Sequence, residues 1–180
     1  MKGNKKGLTI IYTGNGKGKT TAAIGLAVRA FGQGLRVGIF QFIKSPERDY
    51  GEKKTLEKLG IEIVQLGIGF TWTKTPEEHR QALKRGWEFV KEKAMSGLYD
   101  LIVLDELNNA LAITDFSIDD VLPLEEVIQF LQQKPKELHV VITGRNAKPE
   151  LINQADLVSE IQEVKHYYNE RIPAVKGIEY

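Results

Sequence analysis

Cysteine is absent from this 180-residue sequence, and its absence excludes several kinds of chemistry. Without thiols the chain has no disulfide framework, no thiolate zinc site, no iron–sulfur cluster and no cysteine nucleophile. The 3 histidines are scattered too widely to indicate a metal cluster. The lack of cysteine is also consistent with a reducing compartment.

Long apolar runs are absent as well. The stretch behind the basic N-terminus, residues 8–12, is too short for the apolar region of a signal peptide. No other window approaches the roughly 18 uninterrupted apolar residues that a membrane span needs. We therefore expect a cytoplasmic protein with no membrane partner.

An excess of charge of either sign is the third absence. The 25 Lys and Arg face 24 Asp and Glu, which leaves a net charge of +1. This balance indicates no extended basic surface, so we expect no nucleic-acid partner. At roughly 100 to 200 residues per domain, the length predicts one domain over residues 1–180.

Short apolar segments alternate with helical patterns along the chain. Strands that are apolar on both faces belong to parallel sheets covered by helices. The order therefore predicts a three-layer α/β domain with a mostly parallel central sheet, which binds its ligand at the carboxyl ends of the strands. The predicted strands cover residues 8–12, 35–42, 61–66, 101–104 and 138–143.

Three helices are predicted between these strands. The best marked follows Thr75, an N-cap with Pro76 at the first helical position and Glu78 completing a capping box. It ends near Gly97, and a further helix is predicted over 123–133. The face of the best-marked helix carries Leu83, Trp87, Val90 and Ala94. The helix after the first strand has an apolar face at the same spacing, formed by Ile24, Ala27, Val28 and Phe31.

A segment rich in glycine and lysine links the first strand to the first helix. Backbone N–H groups of such a loop can surround phosphate oxygens, and the helix N-terminus adds positive potential. Lys19 supplies a mobile cation, Lys17 is an extra one, and the Thr20 hydroxyl can ligate Mg²⁺ or Mn²⁺. With the sheet, this P-loop predicts a P-loop NTPase-like fold. The loop residues are Gly14, Asn15, Gly16, Lys17, Gly18, Lys19, Thr20 and Thr21.

The P-loop departs from the usual G-x4-G-K-[ST] pattern at one position. Thr13 stands where the first glycine is expected. The alternative to a phosphate site is a glycine-rich turn that binds nothing, and the preceding strand and following helix favour the phosphate site.

Asp105 and Glu106 end the apolar strand 101–104 and resemble a Walker B segment. Carboxylates at the end of a buried strand are costly unless a cation lies nearby, so they are candidate metal ligands. On a strand they would point to opposite sides, and the sequence does not decide which one faces the metal. The alternative is a helix N-cap for the segment that begins at Leu107.

Phe70 and Trp72 lie in a glycine-flanked loop after the third predicted strand. At the ligand-binding edge of the sheet, such a pair suggests a flat apolar partner that stacks there. The alternative is that both rings anchor the loop in the core.

Six short motifs follow one another along the chain: GNGKGKTTAA, QFIKS, GFTW, VLDEL, TGR and VKH. In this order they resemble a known family, the P-loop type of ATP:corrinoid adenosyltransferases, or cob(I)alamin adenosyltransferases. The resemblance runs from about Gly7 to Tyr180. Its most specific parts are GNGKGKTT and GFTW in combination, because either alone leaves several families open.

The resemblance implies transfer of the 5′-deoxyadenosyl group of ATP to the cobalt of a reduced corrinoid, with triphosphate as the leaving group. Cob(I)alamin is a strong nucleophile, so the protein must mainly position the substrates and stabilise the triphosphate. Lys19, Phe70 and Trp72 are then the catalytic residues, the two aromatic residues closing over the corrinoid. Thr20 and Glu106 match the Mg²⁺ contacts, and Asp105 is the weaker match.

Further features come only from the resemblance. It implies a homodimer, an external flavoprotein reductase, and an ATP held in reverse orientation, with which Thr13 is compatible. Lys44 and Arg145 match segments that contact the substrates, although a surface arginine is an equal alternative. Lys165 and His166 lie in a segment that could fold over the site, or His166 is structural. Some members have a longer N-terminal segment covering the partner's site than the six or so residues here.

Other functions remain open at this point. A P-loop kinase or NTPase would cleave the β–γ bond and release ADP. A nucleotide-gated binding module would need no full set of lysine, hydroxyl and carboxylates. A nucleic-acid motor is disfavoured by the net charge of +1.

Overall fold

The computed structural model describes residues 6–69 and 74–180. Its centre is a six-stranded sheet in which every described strand pair is parallel, with the order β3-β2-β4-β5-β1-β6. This confirms the predicted three-layer α/β fold. The strands are β1 Thr9–Thr13, β2 Val37–Gln41, β3 Glu62–Gln65, β4 Leu101–Asp105, β5 His139–Thr143 and β6 Leu157–Glu160.

Helices cover both faces of the sheet. The face under α1 and α2 buries one apolar cluster, and the face under the other α-helices buries a larger one. None of the helices in the described part of the chain is both long and apolar enough to cross a membrane. The helices are α1 Lys19–Gly32, α2 Gly51–Leu59, α3 Pro76–Met95, α4 Leu107–Leu111, α5 Leu124–Gln133 and α6 Pro149–Ile152, followed by a 3₁₀ helix at Tyr167–Glu170.

Helix α3 begins with the predicted capping box. The Thr75 hydroxyl accepts a hydrogen bond from the Glu78 backbone N–H at 3.3 Å, and the Glu78 carboxylate accepts one from the Thr75 N–H at 2.8 Å. Farther along α3, Trp87 is buried and packs edge-on against Phe130 of α5, with 5.2 Å between ring centroids. The apolar face predicted for this helix is confirmed, since Leu83, Val90 and Ala94 are also buried.

The predicted face of α1 is partly wrong. The helix buries Ala23, Ala27 and Ala30, whereas Val28 and Phe31 are 41% and 37% exposed. Alanines let the helix backbone lie close to the sheet, so the small side chains face the core and the larger ones lie at its margin. Tertiary packing here overrides the ranking of residues by hydrophobicity.

Strand β6 and helices α2, α4 and α6 were missed by the strand and helix patterns. All four residues of β6 are exposed, so this edge strand lacks the apolar signature used for the others. Helix α2 is highly charged and buries only Leu56. Helices α4 and α6 span 5 and 4 residues, too few to show a helical period.

The strand register aligns polar residues at the carboxyl edge of the sheet. Gln41 is paired with Asp105 on one side and with Gln65 on the other. Paired residues of neighbouring parallel strands face the same side of a sheet, here the side that α1 covers. The P-loop, which follows β1, lies at this edge too.

Candidate active site

The P-loop begins at the end of β1 and closes at the start of α1. Lys19 donates a hydrogen bond from Nζ to the Gly16 carbonyl at 2.6 Å, so its ammonium lies within the loop. Burial lowers the pKa of Lys19, the positive charge of Arg145 lowers it further, and Glu106 opposes both effects. A lysine that is partly desolvated among cations favours an anion, which fits a phosphate ligand.

Two glycines of the P-loop meet the segment after β6. A Cβ at Gly14 would lie 2.5 Å from the Ile161 carbonyl oxygen, and one at Gly16 would lie 2.5 Å from the Gln162 carbonyl oxygen. The Gly16 N–H also donates to the Ile161 carbonyl at 2.7 Å. Because these two glycines have no side chain, the neighbouring segment can pack directly against the loop. In this structure the Gly16 N–H therefore points to a neighbouring carbonyl, and the expectation that N–H groups of the loop surround phosphate oxygens stays a prediction.

Asp105 is the centre of the hydrogen-bond network beside the P-loop. Its Oδ1 accepts from the hydroxyl of Thr20 at 2.8 Å and from that of Thr143 at 2.7 Å. Its Oδ2 accepts from the Gln41 side-chain amide at 2.9 Å. Asp105 is 1% exposed, and these donors come from α1, β5 and β2. The carboxylate thus fixes the Thr20 hydroxyl at the start of the helix.

Glu106 follows in a left-handed backbone conformation, with φ 62°. Its N–H donates to the Thr143 hydroxyl at 2.9 Å, while Oε1 accepts from the Asn109 side chain at 3.3 Å. Glu106 stands at the N-cap position of α4, yet its side chain makes no capping hydrogen bond to the described backbone of that helix. The helix-cap alternative therefore does not account for this residue.

Burial and the neighbouring Asp105 charge raise the pKa of Glu106 to about 7, against the opposing effects of Lys44 and Lys19. Two adjacent carboxylates in a largely buried site repel each other, and a cation between them would relieve that repulsion. With the Thr20 hydroxyl they offer only oxygen donors, which Mg²⁺ prefers, and Mg²⁺ usually completes its shell with water and substrate phosphate. The donor set therefore fits Mg²⁺ without the need for a further protein ligand.

Lys44 reaches this network from the segment after β2. Its Nζ lies 2.5 Å from a Glu52 carboxylate oxygen and 3.8 Å from Asp105 Oδ2, and it lies over the Tyr50 ring at 4.8 Å. Burial lowers the pKa of Lys44, but Asp105 and the hydrogen bond to Glu52 outweigh it, so the pKa is raised. Lys44 thus stays positively charged beside the carboxylates of Glu52 and Asp105.

Known proteins match this chain along nearly its whole length. A family model described as "ATP:corrinoid adenosyltransferase BtuR/CobO/CobP" matches residues 5–180. The chain belongs to this adenosyltransferase family. The resemblance drawn from the six sequence motifs is therefore confirmed.

Curated relatives in the adenosyltransferase family agree with this assignment. The chain is 41% identical over 178 residues to the corrinoid adenosyltransferase of Escherichia coli (strain K12), covering 98% of this chain and 87% of the relative. It is 42% identical over 177 residues to corrinoid adenosyltransferase CobA of Salmonella typhimurium, with the same coverage. A solved structure, flagellar accessory protein FlaH from Methanocaldococcus jannaschii, is similar with a TM-score of 0.52 and 17% identity over 88% of this chain and 72% of its own. That last likeness concerns the fold alone.

Other predicted site residues of this family member are placed less centrally. Arg145 is exposed, and its backbone N–H donates to the Asn109 side chain at 2.6 Å. Lys165 pairs with Glu170 at 2.9 Å, and His166 accepts from the Tyr168 N–H at 3.1 Å as a cap of the 3₁₀ helix. For His166 the geometry favours the structural alternative. Asn15 and Thr21 are exposed on the P-loop.

Phe70 and Trp72, the aromatic residues assigned to the corrinoid, lie outside the described residues. Their roles stay predictions. The described chain approaches them from β3 through Gly69, whose N–H donates to the Ile43 carbonyl at 3.2 Å. The chain resumes at Lys74, just before the capping box of α3.

Sequence reasoning missed Gln41 and Thr143, which both bind Asp105. Each is the polar last residue of a strand whose central residues are apolar. A search for polar residues that end buried strands would have found them, because such residues face the ligand edge of a parallel sheet. No comparable local signal marked the segment after β6 that contacts the P-loop.

Proposed function

We propose that this protein transfers the 5′-deoxyadenosyl group of ATP to the cobalt of a reduced corrinoid, in adenosylcobalamin synthesis or salvage. The observation that carries the proposal is the family match over residues 5–180. The P-loop beside the Thr20–Asp105 hydrogen bond supports it, since this arrangement suits a nucleoside triphosphate. The cobalt electron pair forms the bond to C5′, the C5′–O bond breaks, and its electrons leave with triphosphate.

The task of the protein in this reaction is to stabilise the leaving triphosphate. Negative charge grows on the triphosphate oxygens as the C5′–O bond breaks. Lys19 and the N-terminus of α1 face that charge from fixed positions, which is the arrangement that lowers an electrostatic barrier. No protein base is needed, because cob(I)alamin is itself the nucleophile.

We assign the Mg²⁺ contacts to Thr20 and Glu106, with Asp105 as a positioning residue. The three protein donors to Asp105 already occupy both of its oxygens, whereas Glu106 accepts one long hydrogen bond from Asn109. Mg²⁺ bound there would neutralise charge on the triphosphate. Mn²⁺ would suit the same oxygen donors.

The remaining substrate contacts are part of the same proposal. Lys44, which lies beside Asp105 near the carboxyl end of β2, would contact substrate. Arg145, exposed after β5, would reach phosphate or a corrinoid amide. Phe70 and Trp72 would close over the corrinoid, displace its lower ligand and ease its reduction.

A homodimer, a flavoprotein reductase and a cytoplasmic location complete the proposal. Support for the homodimer comes from large apolar side chains exposed after β6, which a second subunit would cover. Val164 is 95% exposed, Tyr168 74% and Ile178 62%. A reductase would supply the electron that brings the corrinoid cobalt to its reduced state.

The deciding experiment mixes the protein with MgATP and chemically reduced cobalamin, then identifies the phosphate product and the corrinoid. We expect inorganic triphosphate and a light-sensitive corrinoid with a carbon–cobalt bond. ADP with unchanged corrinoid would instead indicate a P-loop kinase or NTPase. Lys19→Ala is expected to abolish most of the turnover.

A further inference from the structure

The C-terminal segment, residues 161–180, is built against the P-loop. Ile161 donates its N–H to the Thr13 carbonyl at 2.8 Å and accepts the Gly16 N–H at 2.7 Å. Gly14 and Gly16, where an added side chain would clash with this segment, belong to the P-loop itself. The segment is therefore a fixed neighbour of the phosphate site.

Glu179, near the end of this segment, pairs with a lysine of the P-loop. Its Oε2 lies 2.8 Å from Lys17 Nζ, with the two side chains 25% and 35% exposed. A turn holds Glu179 in place, since its N–H donates to the Val175 carbonyl at 2.8 Å and the Gly177 N–H donates to the Tyr180 carbonyl at 2.7 Å. These backbone hydrogen bonds thus hold the Glu179 carboxylate beside the P-loop.

A carboxylate at this position opposes the ligand that the loop is suited to bind. Lys17 is one of two lysines in the P-loop, and a phosphate oxygen of a bound triphosphate would need the same ammonium. A partly exposed ion pair of this kind is weak, so a polyphosphate can displace it.

We propose that Glu179 is a competing anion of the phosphate site: it pairs with Lys17 while nucleotide is absent and yields that cation to a phosphate oxygen of MgATP or of inorganic triphosphate. The pair thereby weakens the binding of both ligands. It also eases the departure of triphosphate, which is the product that would otherwise stay in the loop. The inference rests on the proposed function in taking triphosphate as the product.

The test measures the dissociation constants of MgATP and of inorganic triphosphate by titration calorimetry, without corrinoid. Glu179→Gln is expected to tighten both by about two- to fivefold, the factor that an exposed ion pair of this kind allows. Glu170→Gln is the matched control, because it removes the same charge from the same segment, where Glu170 pairs with Lys165 at 2.9 Å. It should leave both constants at the wild-type value.

A second pair of variants tests whether the effect passes through Lys17. In a Lys17→Gln background, Glu179→Gln should change neither dissociation constant. An equal gain in that background, an equal gain in Glu170→Gln, or no gain in Glu179→Gln would each overturn the inference.

The proposed function can fail separately. Wild-type protein that binds neither ligand overturns the proposed function together with this inference. Wild-type protein that binds both, with Glu179→Gln unchanged, overturns the inference alone. Thermal melts of each variant separate a change in binding from a change in folding. Glu179→Asp, which keeps the negative charge, is the milder substitution at the same position.

Discussion

At the scale of single residues, the site depends on hydroxyl and amide groups that orient a carboxylate. The Asp105 carboxylate accepts hydrogen bonds from the side chains of Thr20, Thr143 and Gln41. Thr143 has two tasks, since its hydroxyl donates to Asp105 and accepts the Glu106 N–H. One side chain of β5 therefore holds both the Asp105 carboxylate and the Glu106 backbone in place.

Thr143→Val is expected to lower the apparent affinity for Mg²⁺ by about 10- to 100-fold, as the loss of a partner behind a ligand commonly does. Valine keeps the shape but leaves Asp105 and the Glu106 N–H without this hydroxyl. Steady-state rates over a range of Mg²⁺ concentrations measure the effect. Thr143→Ser keeps the hydroxyl and should stay near wild type; an equal loss in both variants would contradict the orienting role.

Gly16→Ala is expected to destabilise the protein by about 1 to 3 kcal/mol, because the new Cβ overpacks the site. That Cβ would lie 2.5 Å from the Gln162 carbonyl oxygen, so the loop or the C-terminal segment must shift. Chemical denaturation measures the free energy of unfolding, and calorimetry the accompanying loss of ATP affinity.

Gly25→Ala is the control for that substitution. Gly25 lies inside α1, where an added Cβ would meet no atom of the described residues outside its own helix within 4 Å. Alanine in a helix interior is favoured over glycine by about 0.5 to 1 kcal/mol, so this variant should be slightly more stable than wild type. Similar losses in both variants would contradict the close-approach argument for Gly16.

At the scale of elements, α3 has a strong local sequence signal at its start, close to the residues predicted to contact the corrinoid. Its capping box lies directly after the 70–73 segment, and its apolar face is buried as far as Ala94. Its start was predictable because the capping partners lie within three residues of each other. In β6 the reverse holds, because only pairing with β1 makes its exposed residues a strand.

Thr75→Ala is expected to lower the free energy of unfolding by about 1 kcal/mol, the usual cost of losing an N-cap. The substitution removes the hydroxyl that accepts the Glu78 N–H. Chemical denaturation provides the measurement. Thr75→Ser retains the acceptor and should restore most of the loss; no recovery by serine would argue against capping.

At the scale of the whole molecule, an ion pair stabilises the edge of the sheet where the strands begin, opposite the P-loop. Arg36 donates from Nε and NH2 to the two Asp100 oxygens at 3.0 and 2.8 Å, and from NH1 to the Gly97 carbonyl at 2.7 Å. The Arg36 side-chain and backbone hydrogen bonds lower the pKa of Asp100 to about 2. This pair therefore links the starts of β2 and β4 through a carboxylate that stays charged in mild acid.

The lowered pKa predicts an acid-dependent contribution to stability. A carboxylate with a depressed pKa stabilises the folded state above its unfolded pKa, near 3.9, and this contribution is lost as the pH falls to about 2. The melting temperature of wild type should therefore exceed that of Asp100→Asn at neutral pH, and the gap should narrow between about pH 4 and pH 2. A gap of constant size across that range would contradict the assignment.

The sequence by itself determined the P-loop, the adjacent carboxylates and the capping box of α3, because the groups in each feature are neighbours in the chain. It also indicated a parallel sheet through strands that are apolar on both faces. Only the tertiary structure decided that Thr143 holds the Asp105 carboxylate, 38 residues away along the chain. It also decided that Glu179 pairs with Lys17, 162 residues away. Strand order brings these residues together, and no local pattern encodes which distant strand or segment will become a neighbour.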